Sequence, residues 1–99
     1  MSVLITVKFP ADTAAFRKTL ANQAGELASF AEQARAAGGI HHRFGIGDGC
    51  VVAVDEWESP QQFEQFFARP ELQAFIASSG ASGPPEITVS EAITSPDQY

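Results

Sequence analysis

Apolar and polar side chains alternate strictly along the first segment of the chain. The apolar positions that share one side of this segment are Val3, Ile5, Val7 and Phe9. A period of two is typical of a β-strand with one buried face. Because proline cannot donate a hydrogen bond to a neighbouring strand, Pro10 is expected to end it.

A helical pattern follows over residues 13–37, where good helix formers dominate and Asp12 is the expected N-cap. The pattern predicts one long helix, kinked at Gly25 and ended by Gly38-Gly39. Its apolar stripe comprises Phe16, Leu20, Gln23 or Ala24, Leu27, Ala31 and Ala34.

Two β-prone runs joined by a glycine-rich turn predict a hairpin over residues 40–57. The turn is Gly47-Asp48-Gly49, in which glycine supplies the positive φ angles of a tight turn. The second run, Cys50 to Val54, is apolar on both faces. Such a strand is expected at the centre of a sheet, with both of its faces covered.

Two short helices and a strand are predicted in the last part of the chain. Ser59 and Pro60 are the expected N-cap and first residue of one helix, and Pro70 opens the next. A flexible loop is expected over residues 78–85. Alternation then resumes from Ile87 to Ile93, which predicts a last strand.

The order of these elements is typical of an α+β domain of the ferredoxin-like β-α-β-β-α-β kind. Its helices are expected on one face of a four-stranded antiparallel sheet. The other face, expected to carry Trp or Phe together with aliphatic groups, would be bare in a monomer. Because exposing such a patch is costly, we expect a homodimer that forms through the sheet face.

Length and composition narrow the possible functions. Ninety-nine residues predict a single domain over residues 1–99. The net charge of −6 argues against nucleic acids and acidic membrane surfaces as partners. Cys50 is the only cysteine, which excludes an internal disulfide and a cysteine-based metal site. The chain shows no signal-peptide or membrane-span pattern, so we predict a cytoplasmic protein.

Two adjacent histidines are the first candidates for chemistry. His41 and His42 point to opposite faces of a strand, so they cannot bind one metal ion together within one chain. His42 is expected to share its side with Ile40 and Phe44, and His41 with Arg43. Because imidazole changes its charge near neutral pH, a histidine that faces a cavity is a candidate general base. The alternative is one histidine in solvent and the other hydrogen-bonded in the core or the dimer interface.

Asp55 and Trp57 form the second candidate group, on a strand face that they share with small apolar residues. This arrangement favours room for a flat ligand beside an aromatic wall. Asp55 is expected to pair with His41, Arg43 or Lys8 and to orient or neutralise it. The alternative is that Trp57 simply fills the core or the interface.

The stretch Val54-Asp55-Glu56-Trp57-Glu58-Ser59-Pro60, followed by Phe63, Phe66-Phe67 and Arg69-Pro70-Glu71-Leu72, resembles the antibiotic-biosynthesis-monooxygenase-like family of dimeric α/β-barrel proteins. The resemblance implies a homodimer whose sheets face one another, with a small apolar cavity between each sheet and its helices. Some relatives oxidise polyketide aromatics without metal or flavin, and others degrade haem or cyclise polyketides. Relatives commonly have histidines where this chain has Phe66 and Glu71. Haem-degrading relatives use a first-strand asparagine that this chain lacks, which argues against haem degradation.

We therefore weigh three hypotheses. The first is a cofactor-independent enzyme that acts on a flat aromatic or polyketide-like molecule, with neither metal nor cofactor bound. Its catalytic candidates are His41, His42 and Asp55, and its substrate-binding candidates are Trp57, Arg43, Phe66 and Phe63. The phenylalanines have plain core packing as their alternative. The second hypothesis is a non-catalytic ligand-binding or structural homodimer, and the third is a metal-binding dimer that uses histidines of both subunits.

Overall fold

The computed structural model describes residues 2–99. Its elements are β1 (Val3–Pro10), α1 (Thr13–Asn22), α2 (Ala24–Ala37), β2 (Gly39–Gly47), β3 (Cys50–Trp57), α3 (Pro60–Phe67), α4 (Pro70–Ser78) and β4 (Glu86–Glu91). The strands form one antiparallel sheet in the order β2-β3-β1-β4. This is the predicted α+β ferredoxin-like arrangement, which is confirmed.

Strand alternation divides the sheet into an inner face, which the helices cover, and an outer face. Along β1, every second residue from Val3 to Phe9 is buried and the residues between them are exposed. The register of β1 and β3 places Ile5 opposite Asp55 and Val7 opposite Ala53, all on the inner face. As predicted, β3 lies at the centre of the sheet, between β1 and β2.

The hydrophobic core lies between the inner face and the helices. Aromatic side chains supply much of it, because Phe16 of α1 and Phe63 and Phe66 of α3 are all buried there. Ring contacts are mostly edge to face, as in the pair Phe16 and Phe44, whose centroids lie 5.1 Å apart. This is the geometry that the quadrupoles of aromatic rings favour.

The predicted long helix is wrong in one respect, because the structure contains two helices. The break falls at Gln23, whose backbone leaves helical geometry with φ −123° and ψ 35°, and not at Gly25. The end of the second helix is confirmed: Gly38 takes a left-handed φ of 118°, which glycine adopts without a steric penalty.

Most of the other predicted boundaries hold, but Gly47, predicted to lie in the hairpin turn, belongs to β2. Asp12 and Ser59 cap α1 and α3 by accepting hydrogen bonds from the backbone N–H groups of Ala15 and Gln62. Pro70 begins α4 as predicted. The last strand ends at Glu91, so Ile93 lies outside the sheet.

The outer face differs from the prediction in its composition. Trp57 lies on the inner face and is only 2% exposed, so no aromatic residue from β3 reaches the outer side. The apolar residues of the outer face are aliphatic: Leu4 is 46% exposed and Val54 is 48% exposed. Trp57 is inside because the odd-numbered positions of β3 all face the helices.

None of the helices in residues 2–99 combines the length and the apolar character that a membrane crossing requires.

The division into two faces predicts unequal losses of stability from the same truncation. Ile5 is fully buried at the centre of the sheet, so Ile5→Ala should lower the free energy of unfolding by about 2–5 kcal/mol. Ile87 lies on the same face, but it is 42% exposed on the edge strand, and Ile87→Ala should cost about 1 kcal/mol or less. Chemical denaturation measures both values, and equal losses would contradict this account of the core.

Candidate functional site

A cavity of about 390 Å³ lies between the inner face of the sheet and the helices. This volume falls within the range of small-molecule sites. Most of the lining is apolar, and its aromatic members are Phe9, Phe16, Phe30, Phe44, Trp57, Phe66, Phe67 and Phe75. The polar or charged members are Arg35, His41, His42, Asp55 and Ser79.

Helix α2 forms one wall of this cavity and packs loosely. It is 14 residues long and none of them is fully buried, although Leu27, Phe30 and Ala31 face the cavity. A side chain that faces an unfilled cavity keeps part of its surface accessible, which explains this incomplete burial. Arg69 joins α2 to the other helices by donating a hydrogen bond to the Gln33 side chain at 3.1 Å.

Three polar side chains form a connected group on the sheet wall of the cavity. The Asp55 carboxylate accepts a hydrogen bond from the Trp57 indole N–H at 3.1 Å. Its other oxygen lies 2.6 Å from Nδ1 of His42. Both oxygens of this buried carboxylate therefore have partners, which offsets the cost of taking the charge out of water.

The hairpin explains why His42 and Asp55 meet. The turn consists of Asp48 and Gly49 alone, and Gly47 pairs with Cys50. Counting back from this closing pair places His42 directly opposite Asp55. Residues that face each other across an antiparallel pair are the closest side-chain neighbours in a sheet.

The three side chains of this polar group differ in their exposure to solvent. The side chains of Asp55 and His42 are 9% and 47% exposed, and Trp57 is almost fully buried. The His42 ring also contacts the edge of the Phe44 ring, with centroids 4.6 Å apart. The imidazole is thus held on two sides while a molecule in the cavity can still reach it.

These contacts determine which ring nitrogen of His42 can do chemistry. An ionised Asp55 only accepts hydrogen bonds, so Nδ1 of His42 must carry the proton between them. In the neutral ring, the lone pair then lies on Nε2. A carboxylate that fixes the tautomer and balances a developing imidazolium is the arrangement used in general-base catalysis.

The structure brings four of the predicted site residues to one cavity: His42, Asp55, Trp57 and Phe66. His41 also contributes to the lining, beside an irregularity in β2 between Gly39 and His41. It is nevertheless in register with Glu56, whose side chain belongs to the outer face.

Two predicted binding residues lie elsewhere. Arg43 is in register with Val54 on the outer face and does not line the cavity. Phe63 is buried behind the cavity wall, where its ring lies 5.8 Å from that of Trp57.

The predicted partners of Asp55 are wrong, because its carboxylate pairs with His42. His41, Arg43 and Lys8 are each in register with outer-face residues of β3. A turn of three residues would have placed His41 opposite Asp55. The observed turn has two, and a shift of one residue changes which histidine pairs with the carboxylate.

Sequence reasoning missed Arg35 and much of the cavity wall. Leu27, Ala31 and Arg35 recur at intervals of four on α2, so the apolar stripe of the helix continues into a charged residue. This spacing is the signal that could have revealed Arg35. Within residues 2–99, no three His, Cys, Asp or Glu side chains are grouped closely enough to hold a metal ion.

Neither a protein-family model nor a curated protein sequence matches the chain. Solved structures do match it. SnoaB, a cofactor-independent oxygenase from Streptomyces nogalater, is similar with a TM-score of 0.68 and 19% identity over 98% of both chains. The ActVA-Orf6 monooxygenase of Streptomyces coelicolor, solved with the ligand nanaomycin D, has a TM-score of 0.68 and 23% identity over 95% of this chain and 89% of its own.

A third structure, of an antibiotic biosynthesis monooxygenase, has a TM-score of 0.65 and 10% identity over 93% of this chain and 99% of that one. The predicted resemblance is thereby confirmed for the fold, which the chain shares with antibiotic biosynthesis monooxygenases over almost its whole length. Because fold and activity vary independently, the chemistry must be argued from the cavity itself.

The two hydrogen bonds of Asp55 predict how Asp55→Asn changes the stability of the protein and the tautomer of His42. An amide cannot accept hydrogen bonds from both His42 and Trp57 through two equivalent oxygens, so one donor loses its partner or the ring changes tautomer. We expect a loss of about 1–3 kcal/mol in the free energy of unfolding. The ring ¹⁵N shifts of His42 should move away from the form protonated at Nδ1. Asp48→Asn, in the exposed turn, is the control that should change neither measurement.

Proposed function

We propose that the chain is the subunit of a homodimeric enzyme that binds a flat aromatic or polyketide-like molecule in this cavity and oxidises it without a bound cofactor. His42 is the general base, Asp55 positions it, and Trp57 and Phe66 form aromatic walls. The relatives in fold include a cofactor-independent oxygenase and a monooxygenase solved in complex with the ligand nanaomycin D, and these support the choice of reaction class.

One observation carries this proposal: a buried carboxylate is joined to an accessible histidine at the wall of an apolar cavity. Core packing alone does not call for it, since an apolar side chain beside Ile5 and Ala53 would avoid the cost of burying a charge. An Asp–His pair that faces empty apolar space is, by contrast, what proton removal from a bound molecule requires.

The chemistry follows from the position of the Nε2 lone pair. A phenolic substrate in the cavity would transfer its hydroxyl proton to Nε2, and Asp55 would balance the charge of the resulting imidazolium. The phenolate is the electron-rich form that dioxygen can oxidise. For a phenol with a free para position, the overall reaction with one dioxygen gives a quinone and one water, so the substrate supplies all the electrons.

The base in this proposal lies on strand β2. The positions where relatives commonly have histidines hold Phe66 and Glu71 here. Phe66 lines the cavity as an aromatic wall, and the Arg69 guanidinium lies over its ring, 5.0 Å from the centroid. His42 supplies the imidazole that helices α3 and α4 lack.

The homodimer is proposed through the outer face of the sheet. Leu4 and Val54 are large, exposed and central on that face. The charged residues around them are Lys8, Arg43, Glu56 and Glu86, two of each sign, in a chain whose net charge is −6. A locally neutral patch can face its own copy across a twofold axis without the repulsion that the rest of the surface would cause.

Ligand binding can be tested with the one tryptophan of the chain, which lines the cavity. We expect flat aromatic probes such as 2-naphthol to quench the Trp57 fluorescence and to raise the melting temperature, because a ligand that binds only the folded state stabilises it. Ala53→Leu should block binding, since Ala53 faces the cavity and a larger side chain would occupy its volume. Val52→Leu, one residue away on the outer face, should leave binding intact.

A turnover measurement distinguishes the proposed enzyme from a non-catalytic ligand-binding protein. If a phenolic probe is oxidised under dioxygen, His42→Gln should lower kcat by roughly a hundredfold or more while probe binding changes little. Binding without any oxidation, across a panel of phenols, would support the non-catalytic ligand-binding alternative. Absence of binding to the wild-type protein would refute both.

The dimer is tested by light scattering after size-exclusion chromatography. We expect the wild type to elute with the mass of two chains at micromolar concentration, and Val54→Lys to elute as a monomer, because a buried unpaired lysine is costly. Val89→Lys is the matched control, since Val89 is 46% exposed on the inner face of the edge strand. A monomeric wild type would overturn the proposed assembly.

A further inference from the structure

Within the part of the chain that the structure describes, Arg35 is the one arginine that lines the cavity, and helix α2 sets its position. It lies in the last turn of that helix, two turns beyond the cavity-lining Leu27. The residue is exposed and also belongs to the lining, so it lies where the cavity meets solvent.

The guanidinium of Arg35 has no protein partner in the part of the chain that the structure describes. Over residues 2–99, the side-chain hydrogen bonds do not include it, and the single ion pair joins His42 to Asp55. Arg69 offers a contrast, because it binds Gln33 and lies over the Phe66 ring. Arg35 therefore keeps all of its donors available to a molecule in the cavity.

The other charged groups that line the cavity in residues 2–99 do not pair with the Arg35 guanidinium. Among residues 2–99, Asp55 is the only acidic residue in the lining, and both of its oxygens are used by His42 and Trp57. Within a chain of net charge −6, the cavity is thus a place where an anion meets no unpaired carboxylate. An apolar cavity with a free guanidinium at its rim suits a molecule with an aromatic body and an anionic end.

We propose that Arg35 binds an anionic group of the substrate, so that the molecule is an aromatic carboxylate or a similarly ionised aromatic acid. This proposal rests on the proposed function of the cavity, and it adds the class of substrate that the cavity binds. The aromatic body lies between Phe44 and Trp57, and the anion lies at the rim against α2. Arg35 lies on α2, in which no residue is buried. A ligand that binds both Arg35 and the sheet wall would therefore also stabilise the packing of α2 against the rest of the fold.

Calorimetric titration with a matched pair of probes tests the proposal. 2-Naphthoate and 2-naphthamide have nearly the same shape and differ in charge. In the wild type, naphthoate should bind roughly threefold to tenfold more tightly than the amide, as charge-assisted hydrogen bonds are stronger than neutral ones. Added salt should weaken the binding of naphthoate and leave that of the amide unchanged.

Three variants separate the role of Arg35 from that of net charge. Arg35→Gln should remove the preference for naphthoate while the amide binds as before, and Arg35→Lys should keep part of it. Arg17→Gln makes the same change in net charge at an exposed position of α1 outside the cavity, and it should retain the full preference.

The possible outcomes distinguish the assignment of Arg35 from the proposed function on which it rests. If both probes bind the wild type equally well, or if Arg35→Gln keeps the preference, the assignment of Arg35 is overturned while the cavity remains a binding site. If neither probe binds the wild type, the proposed function itself falls.

Discussion

A four-stranded sheet has two faces, and the helices of this chain cover only one of them. The alternation along β1 and β3 decides what each face carries: Ile5 and Trp57 point to the helices, and Leu4 and Val54 point away from them. The inner face builds the core and the cavity. The outer face keeps exposed aliphatic groups at its centre, which is the physical reason for proposing a second copy there.

The inner face also holds a group that stability alone does not explain. Asp55 lies among apolar neighbours at the centre of the sheet, yet both of its oxygens are bound by donors from the same wall. One donor, the Trp57 indole, is buried and fixed. The other, the His42 imidazole, reaches toward solvent and the cavity. The Asp55 carboxylate therefore holds the His42 ring in a fixed orientation on the sheet, where a ligand can contact it.

Local rules predicted the fold well and the site only in part. Alternation, caps and glycine turns are local, and they placed β1, the hairpin and the start of α3 correctly. The break at Gln23 escaped them, because nothing in the Gln23 side chain disfavours a helix. The partner of Asp55 depended on whether the turn had two residues or three, which the glycine-rich run Gly47-Asp48-Gly49 leaves open.

The cavity links the two proposals to the stability of the molecule. A core that ended against α2 would bury Leu27 and Phe30, but these side chains face unfilled volume and the helix has no buried residue. Apolar side chains that line empty space lose dispersion contacts, so the unliganded fold is less stable than a filled one. A ligand that fills the space restores those contacts, and one that also binds Arg35 secures the far end of the same helix. The room for a ligand and the incomplete burial of α2 then have one origin in the unfilled volume, and Arg35 adds the proposed preference for an anion.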